Sequence, residues 1–341
     1  MITCGIVGVT GYAGLELLKL IEQHPTIHLK KAISDSRAGM TLSELYPWLQ
    51  AGAQKLEPFQ VEALAGIDVL FLATPSGVSA DYIRQLESFD GVVIDLSGDL
   101  RLPSNLYETW YGKPSVNEII QAEAVYGLTE WNRDKLSTAK WISNPGCYAT
   151  AVSLALLPFV QNDWIDPVHI IVSACSGITG AGKGLSEKTH HAKSNENVQL
   201  YKIHSHQHIP EIEQTLNTWS EKKTTVTMST HLLPINRGIM ATITAQPNDD
   251  VSEDVWVRRL QSAYEDEPFI RVQQGEPEIR SVVGSNYCDL WVYKEERTNR
   301  LTIVSVIDNM QKGAAGQALQ NANARFGFEE TLGLLSQPQY I

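Results

Sequence analysis

The N-terminal stretch constrains the fold most. Residues 2–7 form a short apolar run that ends at Gly8-Val9-Thr10-Gly11-Tyr12-Ala13-Gly14. Leu15, Leu17, Leu18, Leu20 and Ile21 then recur at helical spacing until His24-Pro25. Strand, glycine turn and helix in that order open a parallel α/β sheet that binds a dinucleotide. Glycine lets the turn close tightly and lets a pyrophosphate approach the helix N-terminus, where N–H groups carry partial positive charge. The spacing is GxxGxxG rather than GxGxxG, so position supports the reading more than pattern does, and a plain strand–helix turn is the competing reading. Gly8, Thr10, Gly11, Tyr12, Ala13 and Gly14 are the first candidate cofactor residues.

A second strand reads at residues 27–33 and runs into Ser34-Asp35-Ser36-Arg37. An acidic residue about 20 positions beyond the glycines holds a ribose 2′-hydroxyl and signals NAD, and Asp35 stands there. Arg37 with Ser34 and Ser36 suits a 2′-phosphate instead and favours NADP. Buried strands follow at 68–73 and 92–96 with a helix at 78–86 between them, which gives a Rossmann-type doubly wound sheet. Arg101 leaves the carboxyl end of a strand, where such folds bind ligands and a guanidinium suits a phosphate. An exposed salt-bridge arginine reads equally well there.

Ser143-Asn144-Pro145-Gly146-Cys147-Tyr148 delivers one cysteine to the head of an apolar segment. The segment reads as a buried helix over 149–157, cut short by Pro158. A thiol at a helix N-terminus has a depressed pKa and becomes a nucleophile near neutral pH. The competing reading is a buried cysteine acting as a small hydrophobe. The other cysteines, Cys4, Cys175 and Cys288, form no CxxC pair, so neither zinc nor a disulfide framework is indicated.

The chain has 341 residues, enough for roughly two domains. Its net charge of -12 argues against nucleic acid or an anionic membrane as partner. No apolar run reaches about 18 residues and no secretory leader pattern is seen, so a soluble, reduced, cytoplasmic protein is expected.

From Pro167 the texture changes to longer alternating strands, at 169–175, 225–233, 239–245, 286–293 and 301–307, with a helix at 251–264. This predicts a mainly antiparallel α+β domain, one sheet face of which suits a second subunit. Gly177 to Gly184 nearly matches a P-loop, but Gly184 replaces the Mg²⁺-binding hydroxyl, so NTP hydrolysis is not expected. Its backbone N–H groups suit an anion near the cysteine, with a flexible connection as the alternative, and Ser176 and Gly177 are further candidate cofactor residues. His204, His206 and His208 alternate, which on an extended backbone puts them on one face. They lack a partner at metal-site spacing, so the better reading is a general acid/base for Cys147. Arg237, beside Gly238, is a candidate for a substrate carboxylate or a turn arginine. The small-residue run from Gly313 predicts a helix that returns to the first domain.

Together these segments resemble the N-acetyl-gamma-glutamyl-phosphate reductases of arginine biosynthesis, in the semialdehyde dehydrogenase superfamily. The resemblance runs along essentially the whole chain. It rests on Gly8–Gly14, Asp95-Leu-Ser-Gly-Asp-Leu-Arg101, Tyr126-Gly-Leu-Thr-Glu130, Ser143–Tyr148, Ser176–Gly182, His206-Gln-His-Ile-Pro-Glu-Ile-Glu213, Pro234–Ile239 and Lys312-Gly-Ala-Ala-Gly-Gln317. It implies an NADP-binding Rossmann domain over 1–146, rejoined by 312–341, and a catalytic and dimerisation domain over 147–311. It makes Cys147 the nucleophile and His206, ahead of His208, the acid/base. The family commonly has arginine where Gln207 stands here. It places Arg101 at a phosphate and Asn309 and Gly313 near the nicotinamide; Asn144 and Arg237 are taken as further substrate residues. The implied reaction is NADPH-dependent reduction of N-acetyl-L-glutamyl 5-phosphate through a thioester, by a homodimer or homotetramer. The same chemistry on an aminoadipyl or aspartyl phosphate, or a non-catalytic NADP-binding regulator, are the alternatives.

Overall fold

The computed structural model describes residues 1–49 and 52–339. The chain forms two compact units. One comprises Met1–Pro145 and Ala314–Leu335; the other comprises Gly146–Gly313 and the residues from Ser336 to Gln339.

The first unit is built on a seven-stranded parallel sheet. Its strands are β1 (Ile2–Val7), β2 (Ile27–Ile33), β3 (Leu56–Glu57), β4 (Val69–Leu72), β5 (Val92–Asp95), β6 (Val125–Tyr126) and β7 (Trp141–Ser143), in the order β3-β2-β1-β4-β5-β7-β6. Strands β4 and β5 are buried at every residue, which is why β4 reads as an unbroken apolar run and β5 as one up to Asp95, rather than as alternating patterns. The order reverses at β1, so the crevice beyond the carboxyl ends of β1 and β4 is the place for a ligand. Three-residue β7 carries no periodicity that a sequence could show, yet it pairs with β5 and sets the course of Asn144. The helix Gly316–Arg325 belongs to this unit and packs on the helices Thr129–Leu136 and Tyr12–Glu22. Gln317 Nε2 donates to Gly127 O at 3.1 Å and to Thr129 Oγ1 at 2.8 Å, which locks that packing.

The second unit has a seven-stranded mixed sheet in the order β12-β13-β14-β11-β8-β10-β9. These strands are β8 (Ile165–Ser176), β9 (Gln199–Tyr201), β10 (Val226–Leu232), β11 (Ile239–Pro247), β12 (Ile270–Val272), β13 (Cys288–Glu295) and β14 (Arg300–Ile307). The pairings β8/β10 and β12/β13 are parallel; the other four ladders are antiparallel, as the alternation predicts. Ile170, Val172 and Ala174 of β8 and Ile239, Ala241 and Ile243 of β11 face a buried helix, Cys147–Gln161.

That helix does not stop at Pro158. It runs through it for 15 residues in all. Proline removes the N–H that would have reached the Leu154 carbonyl one turn earlier. The phenol of Tyr264 donates to that carbonyl instead, at 2.6 Å, so the turn survives without an unpaired buried group. A second helix, His208–Trp219, packs across it, beginning at the last of the three alternating histidines. No helix among the described residues is long and apolar enough to cross a membrane.

Candidate active site

Cys147 is the first residue of its helix. The preceding Gly146 is the N-cap, extended at φ -72°, ψ 148°, with no side chain to satisfy the helix terminus. Its own N–H donates to Glu211 Oε1 at 2.7 Å, and its carbonyl accepts the Thr150 N–H at 2.8 Å. First-turn N–H groups favour an anion beside them, which for a cysteine means the thiolate. Cys147 is half-buried, whereas Cys4 and Cys288 are fully buried. Burial alone pushes the Cys4 thiol far above its ordinary range, and Cys175 is also raised by burial. Neither matches the setting of Cys147. Gly313 closes the other side of Cys147. A β-carbon there would lie 2.8 Å from Cys147 Cβ, so no larger residue fits without displacing the nucleophile. The π-turn Gln311–Ala315 puts Gly313 there, and its N–H reaches back to Asp308 O at 2.9 Å.

The histidine segment is not an extended strand with three rings on one face. Lys202 (φ 47°) and His204 (φ 52°) adopt left-handed backbone, and the chain turns into the helix that begins at His208. His204 is left exposed, apart from the other two. His206 and His208 come together by this turn, with ring centroids 4.6 Å apart. His206 Nδ1 accepts the His208 N–H at 3.1 Å, capping the new helix. Its ring packs edge-on to Tyr148 (5.3 Å) and Tyr201 (5.9 Å). Burial, helped by the charge of Lys202, lowers His206 to about 3, so the ring is neutral at physiological pH. Lys202 Nζ is held by Gln207 Oε1, at the position where the family resemblance leads one to expect arginine.

His208 packs against the residue before the nucleophile. A β-carbon on Gly146 would fall 2.3 Å from His208 Nε2, so only glycine lets the imidazole lie against the residue before Cys147. Glu211, one helical turn after His208, is fully buried and holds the Gly146 N–H. The sequence reading gave Glu211 no role. Its one signal was a carboxylate three residues after a histidine, on the same helix face.

Around this centre, Gly177 N–H bonds to Gly238 O and Ile178 N–H to Ile235 O, both at 2.9 Å. A β-carbon on Gly177 would meet Asn236 backbone at 2.6 Å. Asn309 joins the same loops: its Oδ1 accepts the Gly238 N–H at 2.7 Å and its Nδ2 donates to Thr179 Oγ1 at 2.9 Å. Arg237, expected at a substrate carboxylate, is ion-paired at 3.0 Å with the buried Asp308. Ser176 is buried and donates to Gly177 O. No cluster of three or more His, Cys, Asp or Glu among the described residues is arranged to hold a metal ion.

In the first unit, a cleft of about 410 Å³ is lined by Gly8, Thr10, Gly11, Ser34, Asp35, Ser36, Thr74, Pro75, Val78 and Tyr82, among others. Gly8 has φ 81°, and a β-carbon there would lie 2.6 Å from Ala73 O. A β-carbon on Gly14 would lie 2.4 Å from Gly8 O, so the glycines bring the helix Tyr12–Glu22 hard against the turn. Gly11 caps that helix without a side-chain hydrogen bond. This cradle fits a dinucleotide pyrophosphate. Tyr12 is exposed and Ala13 half-buried on the helix's first turn. Asp35, the candidate ribose ligand, uses both oxygens within the fold: Oδ1 accepts the Phe59 N–H at 2.7 Å and Oδ2 the Tyr82 hydroxyl. Ser36 and Arg37 are exposed beside it and Ser34 is buried, a donor set suited to a 2′-phosphate.

Arg101 is buried, its Nε donating to Asn144 O at 2.8 Å and Nη2 to Leu96 O at 2.9 Å. Asn144, expected at the substrate, has both ends of its amide engaged. Its Nδ2 donates to Ala314 O at 3.1 Å and its Oδ1 accepts from Asn321 Nδ2 at 3.0 Å.

Residues 3–139 match the semialdehyde dehydrogenase NAD binding domain, and residues 147–309 match the semialdehyde dehydrogenase dimerisation domain. The chain is 52% identical to an N-acetyl-gamma-glutamyl-phosphate reductase of Exiguobacterium sibiricum, over 99% of each chain. It is 48% identical to one of Halalkalibacterium halodurans, over 98% of this chain and 99% of that one. Among solved structures, aspartate semialdehyde dehydrogenase II of Vibrio cholerae, in complex with ASA, superimposes with a TM-score of 0.72 at 16% identity, covering 95% of this chain and 98% of that one. The Candida albicans aspartate semialdehyde dehydrogenase with NADP gives 0.69 at 14% identity, over 95% and 98%. At such identities the two structures speak to the fold alone.

Proposed function

Because the chain belongs to the N-acetyl-gamma-glutamyl-phosphate reductase family of semialdehyde dehydrogenases, we propose that Cys147 is the nucleophile of an NADP-dependent acyl-phosphate reductase. The enzyme converts N-acetyl-L-glutamyl 5-phosphate to N-acetyl-L-glutamate 5-semialdehyde and phosphate in arginine biosynthesis. The observation that carries the residue assignment is a half-buried cysteine at the first position of a buried helix, with His208 Nε2 packed on the glycine before it.

The histidine pair takes the thiol proton. The thiolate attacks the acyl carbon, the bond from carbon to the phosphate oxygen breaks, and a thioester remains on Cys147. Gly8, Gly11, Gly14, Ser34, Ser36 and Arg37 would hold NADPH, which when bound would supply the hydride that reduces the thioester. The carbonyl of the reduced adduct then reforms and the thiolate leaves. The family resemblance favours His206 as proton carrier; its placement favours His208. Nδ1 of His206 already caps a helix, and burial keeps that ring neutral and weakly basic. Glu211 acts as a positioning residue that fixes the Gly146 backbone. Arg101 is assigned to the substrate phosphate, with its guanidinium pre-oriented by two backbone carbonyls. Asn144 is assigned to holding the backbone, and Arg237 to holding its loop through Asp308.

The second unit carries the dimerisation domain. We assign the contact between two copies to the sheet face that bears Ile171, 54% exposed, with Ser173, Met240 and Thr242. The cytoplasm is its expected place, where a catalytic thiol stays reduced. Light scattering of Ile171→Glu checks the contact, since an unchanged oligomer mass rejects it.

The deciding assay is the reverse reaction: N-acetylglutamate semialdehyde, NADP⁺ and phosphate, followed at the absorbance of NADPH. Cys147→Ala is expected to lose turnover while NADPH still binds; normal turnover in that variant rejects the nucleophile. His206→Asn and His208→Asn, measured separately, identify the proton carrier by the larger loss, expected at about 10²–10⁴-fold.

A further inference from the structure

The segment Asp95-Leu96-Ser97-Gly98-Asp99-Leu100-Arg101 holds two fully buried carboxylates for which the chemistry above has no use. Asp99 is the more heavily bonded. Its Oδ2 accepts the N–H of Gly77 and that of Ala80, each at 2.7 Å, and its Oδ1 accepts the Tyr107 hydroxyl at 2.6 Å and the Gly77 N–H at 3.0 Å. Gly77 is the N-cap of the helix Val78–Gln85, at φ 87°, and has no side chain to cap it. The positive φ itself favours glycine there, since a side chain in that left-handed region would be strained. The cap is therefore supplied from the turn that follows β5, 22 residues on in sequence. A second tie runs from Gly98 N–H to Ser76 Oγ at 3.0 Å.

The backbone so held is one wall of the cleft. Thr74, Pro75 and Val78 line it, as does Tyr82 one turn further along the same helix. Two helices thus begin at the cleft in opposite electrostatic states. The helix Tyr12–Glu22 has a bare glycine cap, open to a phosphate, while the helix Val78–Gln85 has its terminal N–H groups neutralised by an internal carboxylate. We infer that Asp99 is a positioning residue for the cofactor: its carboxylate fixes the Thr74–Val78 wall and directs the pyrophosphate to the other helix.

This rests on the cleft being the NADP site, and the test separates the two claims. In Asp99→Asn one oxygen becomes an amide nitrogen that faces N–H or O–H donors. The dissociation constant for NADPH, titrated on the apo enzyme by tryptophan fluorescence, is expected to rise about tenfold, with kcat at saturating cofactor within about threefold of wild type. Hydrogen exchange at the Gly77 and Ala80 amides in the apo protein is expected to accelerate, a local change that general destabilisation would not confine to those sites. Ser76→Ala and Tyr107→Phe each remove one bond of the network and are expected to weaken binding about threefold. A folded Asp99→Asn with wild-type affinity overturns the inference. So does wild-type affinity in both lesser variants should Asp99→Asn fail to fold. If Gly8→Ala and Arg37→Met also bind NADPH normally, the cofactor site itself is wrong; if they bind poorly while the Asp99 network has no effect, only this inference fails.

Discussion

Replacing Gly146 by alanine adds one carbon beside the nucleophile, and the structure fixes where it goes. The backbone at φ -72°, ψ 148° is ordinary for alanine, so no conformational strain arises. The new carbon instead meets His208, at 2.3 Å from Nε2, 2.6 Å from Cε1 and 2.7 Å from Cδ2. To regain normal contact the ring must retreat by about 1 Å, or the Gly146 backbone must, which would pull its N–H off Glu211. The ring has little room, with the His206 centroid at 4.6 Å and that of Tyr148 at 6.1 Å. Overpacking of this kind costs about 1–3 kcal/mol, partly offset by about 0.4–1 kcal/mol from the stiffer unfolded chain. The variant therefore folds, with a Tm lower by a few degrees. A displacement of about 1 Å at a proton-transfer pair costs about 10²-fold in rate. In the reverse assay kcat is expected to fall by about that factor, while KM for NADP⁺ stays within about twofold because no cleft residue is touched. Alkylation of Cys147 by iodoacetamide should slow in parallel if the histidine ionises the thiol. A kcat within threefold of wild type would refute the idea that the close packing of His208 on Gly146 serves the chemistry.

Tyr264→Phe strips the donor from the Leu154 carbonyl that Pro158 leaves open. Stability should drop by about 1–3 kcal/mol, and Pro158→Ala in the same chain should recover most of the loss by restoring an N–H. Thermal unfolding checks both, and no recovery would show that the phenol does not substitute for the missing amide. Arg37→Met should raise KM for NADPH about tenfold or more and leave that for NADH unchanged; an equal effect on both would remove the 2′-phosphate role. Two buried groups should tilt stability with pH in opposite senses. His206, lowered to about 3 by burial and Lys202, refuses a proton that the unfolded chain accepts below its ordinary 6.5, so its contribution falls as pH drops through that window. Asp95, pushed up to about 7 by burial and the charge of Asp99, keeps a proton that the unfolded chain releases above 3.8, so its contribution falls as pH rises from there to 7. Asp95→Asn should therefore gain Tm over wild type between pH 5 and 8, and His206→Asn should flatten the acid limb; curves parallel to wild type would contradict both assignments.

Features encoded within a few neighbouring residues were legible in the amino-acid order. The strand, turn and helix at Ile2–Glu22, the apolar strand β4, the alternating β11, and a cysteine heading a buried helix all follow from local period and from glycine. The position of Ser34 and Ser36 beside that turn was legible too, since both line the cleft. Wherever a residue's role depends on a partner far along the chain, the order of residues left it open. Glu211 reaches Gly146 across 65 positions, and Asp308 takes Arg237 across 71. Tyr264 carries the helix through Pro158 from 110 positions away, and Asn321 holds Asn144 from 177. Local pattern counted His204, His206 and His208 as equivalent. Two left-handed residues and a helix start separated them, burying two rings and leaving one in solvent. Periodicity reports which face of an element is buried; only the folded chain decides which polar atom meets which, because a buried donor or acceptor must be satisfied by whatever group the packing brings to it.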